Sequence, residues 1–195
     1  MTKLLIMNHR GVSVPALVEQ LRRLGTDVNL VEPESFHWRT GASGFDGVIA
    51  SGGYLRSKTH RETLNAYSSF LEELLVPFFG ICLGLRILGH CHGARFRKTE
   101  PVTGIQRVTL SGFPLCPQLS SFPAHQNHRY ELLRPLPETL QDFSVGHDVQ
   151  AVKVVGMDQY AVQFHPEVGN GPAATTIENF VLLCSTGKPK HAQGT

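Results

Sequence analysis

Cys82 lies in the run Pro77-Phe-Phe-Gly-Ile-Cys82-Leu-Gly84-Leu-Arg-Ile-Leu-Gly, with a glycine two positions before it and two after. Small residues on both sides of a nucleophile permit the tight strand-to-helix turn that thrusts its side chain out of a sheet. Free backbone amides at the start of the following helix stabilise negative charge there. The N–H of Leu83 is then placed to bind an oxyanion. Taken alone, the pattern reads equally well as a buried structural cysteine between two helix-packing glycines. A second constellation tips the balance: Tyr160-Ala-Val-Gln-Phe-His165-Pro-Glu167-Val. In extended chain, residues two apart share a face, and Pro166 biases His165 toward that geometry. Glu167 can then bond one imidazole nitrogen, fix the tautomer and support the imidazolium formed when the other nitrogen takes a proton. Cys82, His165 and Glu167 thus form a candidate triad for acyl transfer through a thioester.

Such a triad needs a scaffold that brings residues 82 and 165 together. The apolar runs at 3–7, 28–31, 47–50 and 76–79 read as strands. Pro15 opens an amphipathic segment with Leu17, Val18, Leu21 and Leu24 at helical spacing, stopped by Gly25, and residues 60–75 repeat that pattern. Strands alternating with helices at these lengths predict right-handed crossovers and a parallel sheet. Beyond Arg95 the runs 106–110, 143–145, 151–155 and 160–164 are short and separated by turn residues, which predicts antiparallel or mixed strands added to the sheet. A helix near 173–184 closes the fold. The expected architecture is a three-layer α/β sandwich with a mostly parallel central sheet. It forms one domain over residues 1–187, with a polar tail at 188–195.

Composition narrows the function classes. A hydrophobic share of 41%, a charged share of 17% and a net charge of +2 describe a globular chain with no basic stripe for nucleic acid. The longest early apolar run spans only residues 4–7, too short for a signal peptide or a membrane span. Four cysteines, Cys82, Cys91, Cys116 and Cys184, show no paired spacing and read as free thiols in a reducing, cytoplasmic setting. The cluster Gly89-His90-Cys91-His92-Gly93 offers good zinc ligands but no matching second pair, so no metal or other cofactor is expected. Phe36-His37-Trp38 and Tyr54-Leu55-Arg56 read as loop residues that either pack beneath a loop or dock a partner.

At these motifs the chain resembles the class I (triad) glutamine amidotransferases, with a flavodoxin-like fold. Gly80-Ile-Cys82-Leu-Gly84 matches their nucleophile motif and Gln163-Phe-His165-Pro-Glu167-Val their triad motif. Ala50-Ser51-Gly52-Gly53 is similar to the glycine loop that supplies the second oxyanion-hole amide, here that of Gly53, with Gly52 beside the substrate. Ala124-His125-Gln126-Asn127 stands where glutaminase subunits of GMP synthases, the nearest members in shape, carry a Ser-His-x-Asp segment, which makes His125 a candidate substrate contact. The resemblance implies hydrolysis of the glutamine side-chain amide and delivery of ammonia to a separate ATP-dependent synthetase subunit.

Three positions depart from the family pattern. Arg86 stands where a glutamine usually helps to hold the substrate, Tyr54 replaces the proline after the glycine loop, and Thr103-Gly104 replaces an aromatic-glycine pair. Two readings of Arg86 stand level: it grips a substrate carboxylate, or it faces away from the pocket. The alternatives to a glutaminase are accordingly a γ-glutamyl hydrolase or peptidase with another γ-glutamyl amide as substrate, and an inactive partner-binding subunit.

Overall fold

The computed structural model describes residues 1–38, 41–55, 60–118 and 120–186. The chain begins with strand β1 (Lys3–Met7), helix α1 (Val14–Arg23), and strands β2 (Asp27–Val31) and β3 (Gly47–Ala50). Helix α2 (His60–Glu73), strand β4 (Phe78–Ile81) and helix α3 (Leu83–Cys91) follow. The second half holds strands β5 (Phe96–Leu110), β6 (Ser120–Leu132), β7 (Leu140–Asp142), β8 (Ala151–Val154) and β9 (Gln159–Val162), and helix α4 (Pro172–Thr186). The tail proposed at 188–195 and Arg56 lie outside the described residues.

Among the described residues one seven-stranded sheet runs in the order β2-β1-β3-β4-β9-β8-β7. Strands β2, β1, β3, β4 and β9 are parallel, while β8 is antiparallel to both of its neighbours. The central strands β3 and β4 are apolar at every position because both faces are covered. Leu4, Ile6, Ile49, Phe79 and Val162 pack on one side with Leu17 and Leu21 of α1 and Ile177 and Phe180 of α4. Leu5, Met7, Val48, Phe78 and Ala161 pack on the other with Tyr67 and Leu71 of α2 and Leu85 and Leu88 of α3. Three layers result, as expected.

Three sequence expectations are corrected. The strand expected at 76–79 is β4, Phe78–Ile81; Pro77 stays outside it and contributes only its carbonyl, which accepts the Val48 N–H at 2.9 Å. The run 143–145 is not a strand. Ser144 instead closes a turn, donating its N–H to Asp142 Oδ1 at 2.8 Å and accepting the Gln150 N–H on its hydroxyl at 2.7 Å. Residues 106–110 do not join the central sheet. They belong to β5, which pairs with β6 in a separate antiparallel ribbon. Val108, Leu110, Phe122 and Ala124 anchor that ribbon in the core. The polar sequence of β6 hides its strand character, because much of this ribbon is open to water.

Candidate active site

Cys82 stands between the end of β4 and the start of α3, at the carboxyl edge of the parallel sheet. Its N–H donates to Val162 O of β9 at 2.8 Å, so the turn is tied to the strand that leads to His165. The backbone there has φ 51° and ψ −93°, a left-handed conformation strained for any residue with a β-carbon. The flanking glycines make the turn sterically possible. A β-carbon at Gly80 would stand 2.6 Å from Gly84 C, and one at Gly84 would stand 2.6 Å from Ala50 O.

His165 follows the end of β9 at Val162 by three residues and is itself held by its N–H, which donates to His125 O at 2.8 Å. Its Nδ1 lies 2.8 Å from Glu167 Oε1, and both side chains are almost fully buried. The Ser13 hydroxyl, at the entrance to α1, donates to the same Oε1 at 2.5 Å and lies 3.4 Å from His165 Nδ1. Burial pushes the imidazole down, but hydrogen bonding and charge from Cys82 and Glu167 outweigh it and hold His165 up to about 10.

Gly52 seals the contact between the two halves of the triad. A β-carbon there would meet His165 Cε1 at 2.7 Å and Cys82 Cβ at 3.6 Å. Gly53 has φ 135°, open to glycine alone, and a β-carbon would lie 2.1 Å from His9 O. The neighbouring Arg10–Gly53 bridge is closed by the Tyr54 N–H on His9 O at 3.0 Å, which leaves the Gly53 N–H outside that bond. Leu83 is the first residue of α3, so its N–H has no acceptor within the helix.

Arg86 lies on α3, one turn beyond Cys82. Its guanidinium lies over the Tyr130 ring, 4.1 Å from the centroid, and lines a cavity of about 570 Å³ with Leu83, Arg61, Asn65 and His90. Its Nε is buried without a partner, and desolvation lowers its affinity for a proton against the opposing pull of Tyr130 and Cys82. His125 enters the site through its carbonyl rather than as an isolated surface residue. His128, two residues beyond Gln126, has both ring nitrogens buried, and burial pushes its pKa down. Asn127 O and Gln163 Nε2 face the Cys82 sulfur at 3.6 and 3.8 Å.

Sequence reasoning missed Ser13 and His9. Ser13 reads from sequence as an ordinary helix N-cap; in the structure its side chain makes no capping bond and turns to Glu167 instead. His9 is fully buried. Phe36 and Trp38 pack edge-on with Tyr67 and Phe70, an aromatic cluster beneath the loop. Among the described residues no three His, Cys, Asp or Glu side chains converge as metal ligands do. No described helix is long and apolar enough to cross a membrane.

Comparison with known proteins places this geometry. The family model for class-I glutamine amidotransferases matches residues 6–184. A glutamine-hydrolyzing GMP synthase subunit of Thermoplasma volcanium is 30% identical over 180 residues, covering 87% of this chain and 86% of that one. Among solved structures, one described as a GMP synthase subunit from Thermoplasma acidophilum superposes with a TM-score of 0.84 at 24% identity, covering 96% of each chain. A glutamine amidotransferase of Thermotoga maritima superposes with a TM-score of 0.70 at 20% identity, over 95% of this chain and 82% of that one.

Proposed function

The chain belongs to the class I glutamine amidotransferase family, and from that premise we propose that it is a cytoplasmic glutaminase subunit supplying ammonia to a separate ATP-dependent synthetase, as in GMP synthase. The observation that carries the proposal is the convergence of the strained Cys82 turn, the His165–Glu167 pair and the Gly52 contact at one sheet edge. In this reading Cys82 attacks the γ-carbonyl of glutamine as a thiolate, its proton resting on His165. The Gly53 and Leu83 amides hold the oxyanion. Collapse of the tetrahedral intermediate breaks the C–N bond, and His165 delivers its proton to the departing nitrogen. The released imidazole then takes a proton from water, whose oxygen attacks the thioester and frees glutamate. Glu167 keeps Nδ1 protonated and supports the imidazolium.

A second reading of the same chemistry turns on Arg86. A partly desolvated guanidinium whose Nε has no partner among the described residues, in a cavity that adjoins Leu83, suits the carboxylate of a γ-glutamyl compound. Such a compound includes glutamine itself and larger γ-glutamyl amides. His125 and Gly52 complete the proposed substrate contacts, the former through main chain that also holds His165.

The test is covalent labelling of the isolated protein with a glutamine-mimicking electrophile, located by peptide mapping. Labelling at Cys82 that free glutamine suppresses supports the glutaminase. Suppression only by γ-glutamyl amides of other amines moves the assignment to a γ-glutamyl hydrolase. A Cys82 that alkylates with simple thiol reagents but ignores the mimic, with or without a synthetase present, defeats both.

A further inference from the structure

His9 follows β1 with its side chain completely buried, and four of its atoms engage the glycine loop or its support. Its N–H donates to Ser51 Oγ at 2.9 Å, and the Ser51 hydroxyl in turn donates to Gly52 O at 2.9 Å. Its Nδ1 lies 3.1 Å from Ser51 O. A carbonyl only accepts, so Nδ1 carries the proton and Nε2 is the lone pair. The Tyr67 hydroxyl, 3.0 Å from Nε2, must therefore donate to it. The His9 carbonyl accepts the Tyr54 N–H at 3.0 Å and closes the far end of the loop. Burial keeps the imidazole neutral, pushing its pKa down to about 4.

These bonds fix one particular peptide. In a trans peptide the N–H points opposite to the carbonyl. Holding Gly52 O on the side of Ser51 Oγ and Gly11 thus aims the Gly53 N–H to the other side. Glycine on both sides of this bond means that side-chain sterics do little to prevent the peptide from flipping. Something else must hold it.

We propose that His9 is a positioning residue that, through Ser51 and with Tyr67 behind it, latches the Gly52–Gly53 peptide in the orientation that presents the Gly53 N–H as an oxyanion donor. This inference rests on the acyl-transfer reading above. A flipped peptide would forfeit the Ser51 hydroxyl bond and turn a carbonyl toward the place where negative charge develops. Tyr67 carries the latch onto α2, which also supplies Arg61, Leu64 and Asn65 to the Arg86 cavity.

The test separates acylation, which develops an oxyanion, from alkylation, which does not. Ser51→Ala, Tyr67→Phe and His9→Asn are compared with the wild type in the full chain; asparagine retains a donor near the Nδ1 position and lacks the Nε2 acceptor. Removal of an oxyanion donor costs about 10²–10³ in kcat, so S51A is expected to lose about that factor toward a γ-glutamyl anilide. H9N and Y67F fall between S51A and wild type. Alkylation of Cys82 by iodoacetamide is expected to stay within about threefold. Equal losses in both reactions, or acylation by S51A or H9N within about threefold of wild type, would overturn the latch. If the wild type cleaves no γ-glutamyl compound, the acyl-transfer reading is what fails, and crystal structures decide the latch. A reversed Gly52 carbonyl in S51A supports it, and an unmoved one refutes it.

Discussion

Gly52 and His165 touch so closely that a β-carbon at position 52 would stand 2.7 Å from the imidazole Cε1. The glycine loop and the proposed base are thereby in register without any hydrogen bond between them. Gly52→Ala should push the ring off its line to Cys82 while sparing the fold. Misplacement of about 1 Å can cost 10² in rate, so kcat of G52A is expected to drop by about that factor with an unchanged melting temperature. A G52A enzyme of normal kcat would show that the ring has room to move.

Cys82 holds a left-handed backbone conformation that glycine adopts freely. Cys82→Ala and Cys82→Gly should both be inactive, yet differ in stability. Relief of the strain is worth on the order of 1–3 kcal/mol, less the chain entropy that glycine adds. Chemical denaturation should therefore find C82G more stable than C82A, against the usual order for these two residues.

Ser13 and Glu167 share one oxygen, since Oε1 accepts both the hydroxyl and His165 Nδ1–H. Glu167→Gln keeps an acceptor but removes the charge that supports the imidazolium. It should lower kcat by about 10²-fold or less, and less than His165→Ala does. Ser13→Ala should cost about tenfold. The pH profile of E167Q should report His165 titrating well below the value near 10 that Cys82 and Glu167 together sustain.

Arg86 offers a test of substrate grip separate from chemistry. Arg86→Ala should raise KM about tenfold or more with kcat changed only a few-fold, the mark of an interaction present equally in ground and transition states. Arg86→Lys should recover only part of the loss, because an ammonium neither forks around a carboxylate nor stacks on Tyr130 as a guanidinium does.

His9 should leave its mark on acid stability. Its folded pKa, about 4, is below the unfolded value of 6.5, so the unfolded chain binds the extra proton between these limits. The associated stability is complete above pH 6.5 and is lost as pH falls toward 4. A shift of that size corresponds to about 3 kcal/mol. The unfolding free energy of the wild type should fall over this range more steeply than that of His9→Gln, measured by denaturant titration at each pH. Parallel slopes would mean that His9 is protonated in the native state.

What the sequence determined by itself was local: which chain segments alternate as buried strands and amphipathic helices, and which short motifs carry a nucleophile turn and a histidine–carboxylate pair. Those follow from periodicities of two and 3.6 residues and from glycine and proline at fixed offsets. Hence α1, α2, the parallel strands, Cys82, His165 and Glu167 were legible, as was the pairing of His165 with Glu167 only two residues away. The β5–β6 ribbon was not, since its residues pair across the chain and much of it faces water, where no apolar alternation is required. The stacking of Arg86 on Tyr130, 44 positions distant, was not legible either, since it joins α3 to the β5–β6 ribbon. Ser13 on Glu167 and His9 on Ser51 are contacts between residues 154 and 42 positions apart. Only the tertiary structure decides such contacts, because a single polar side chain carries no mark of its partner until packing removes water and leaves one acceptor within reach.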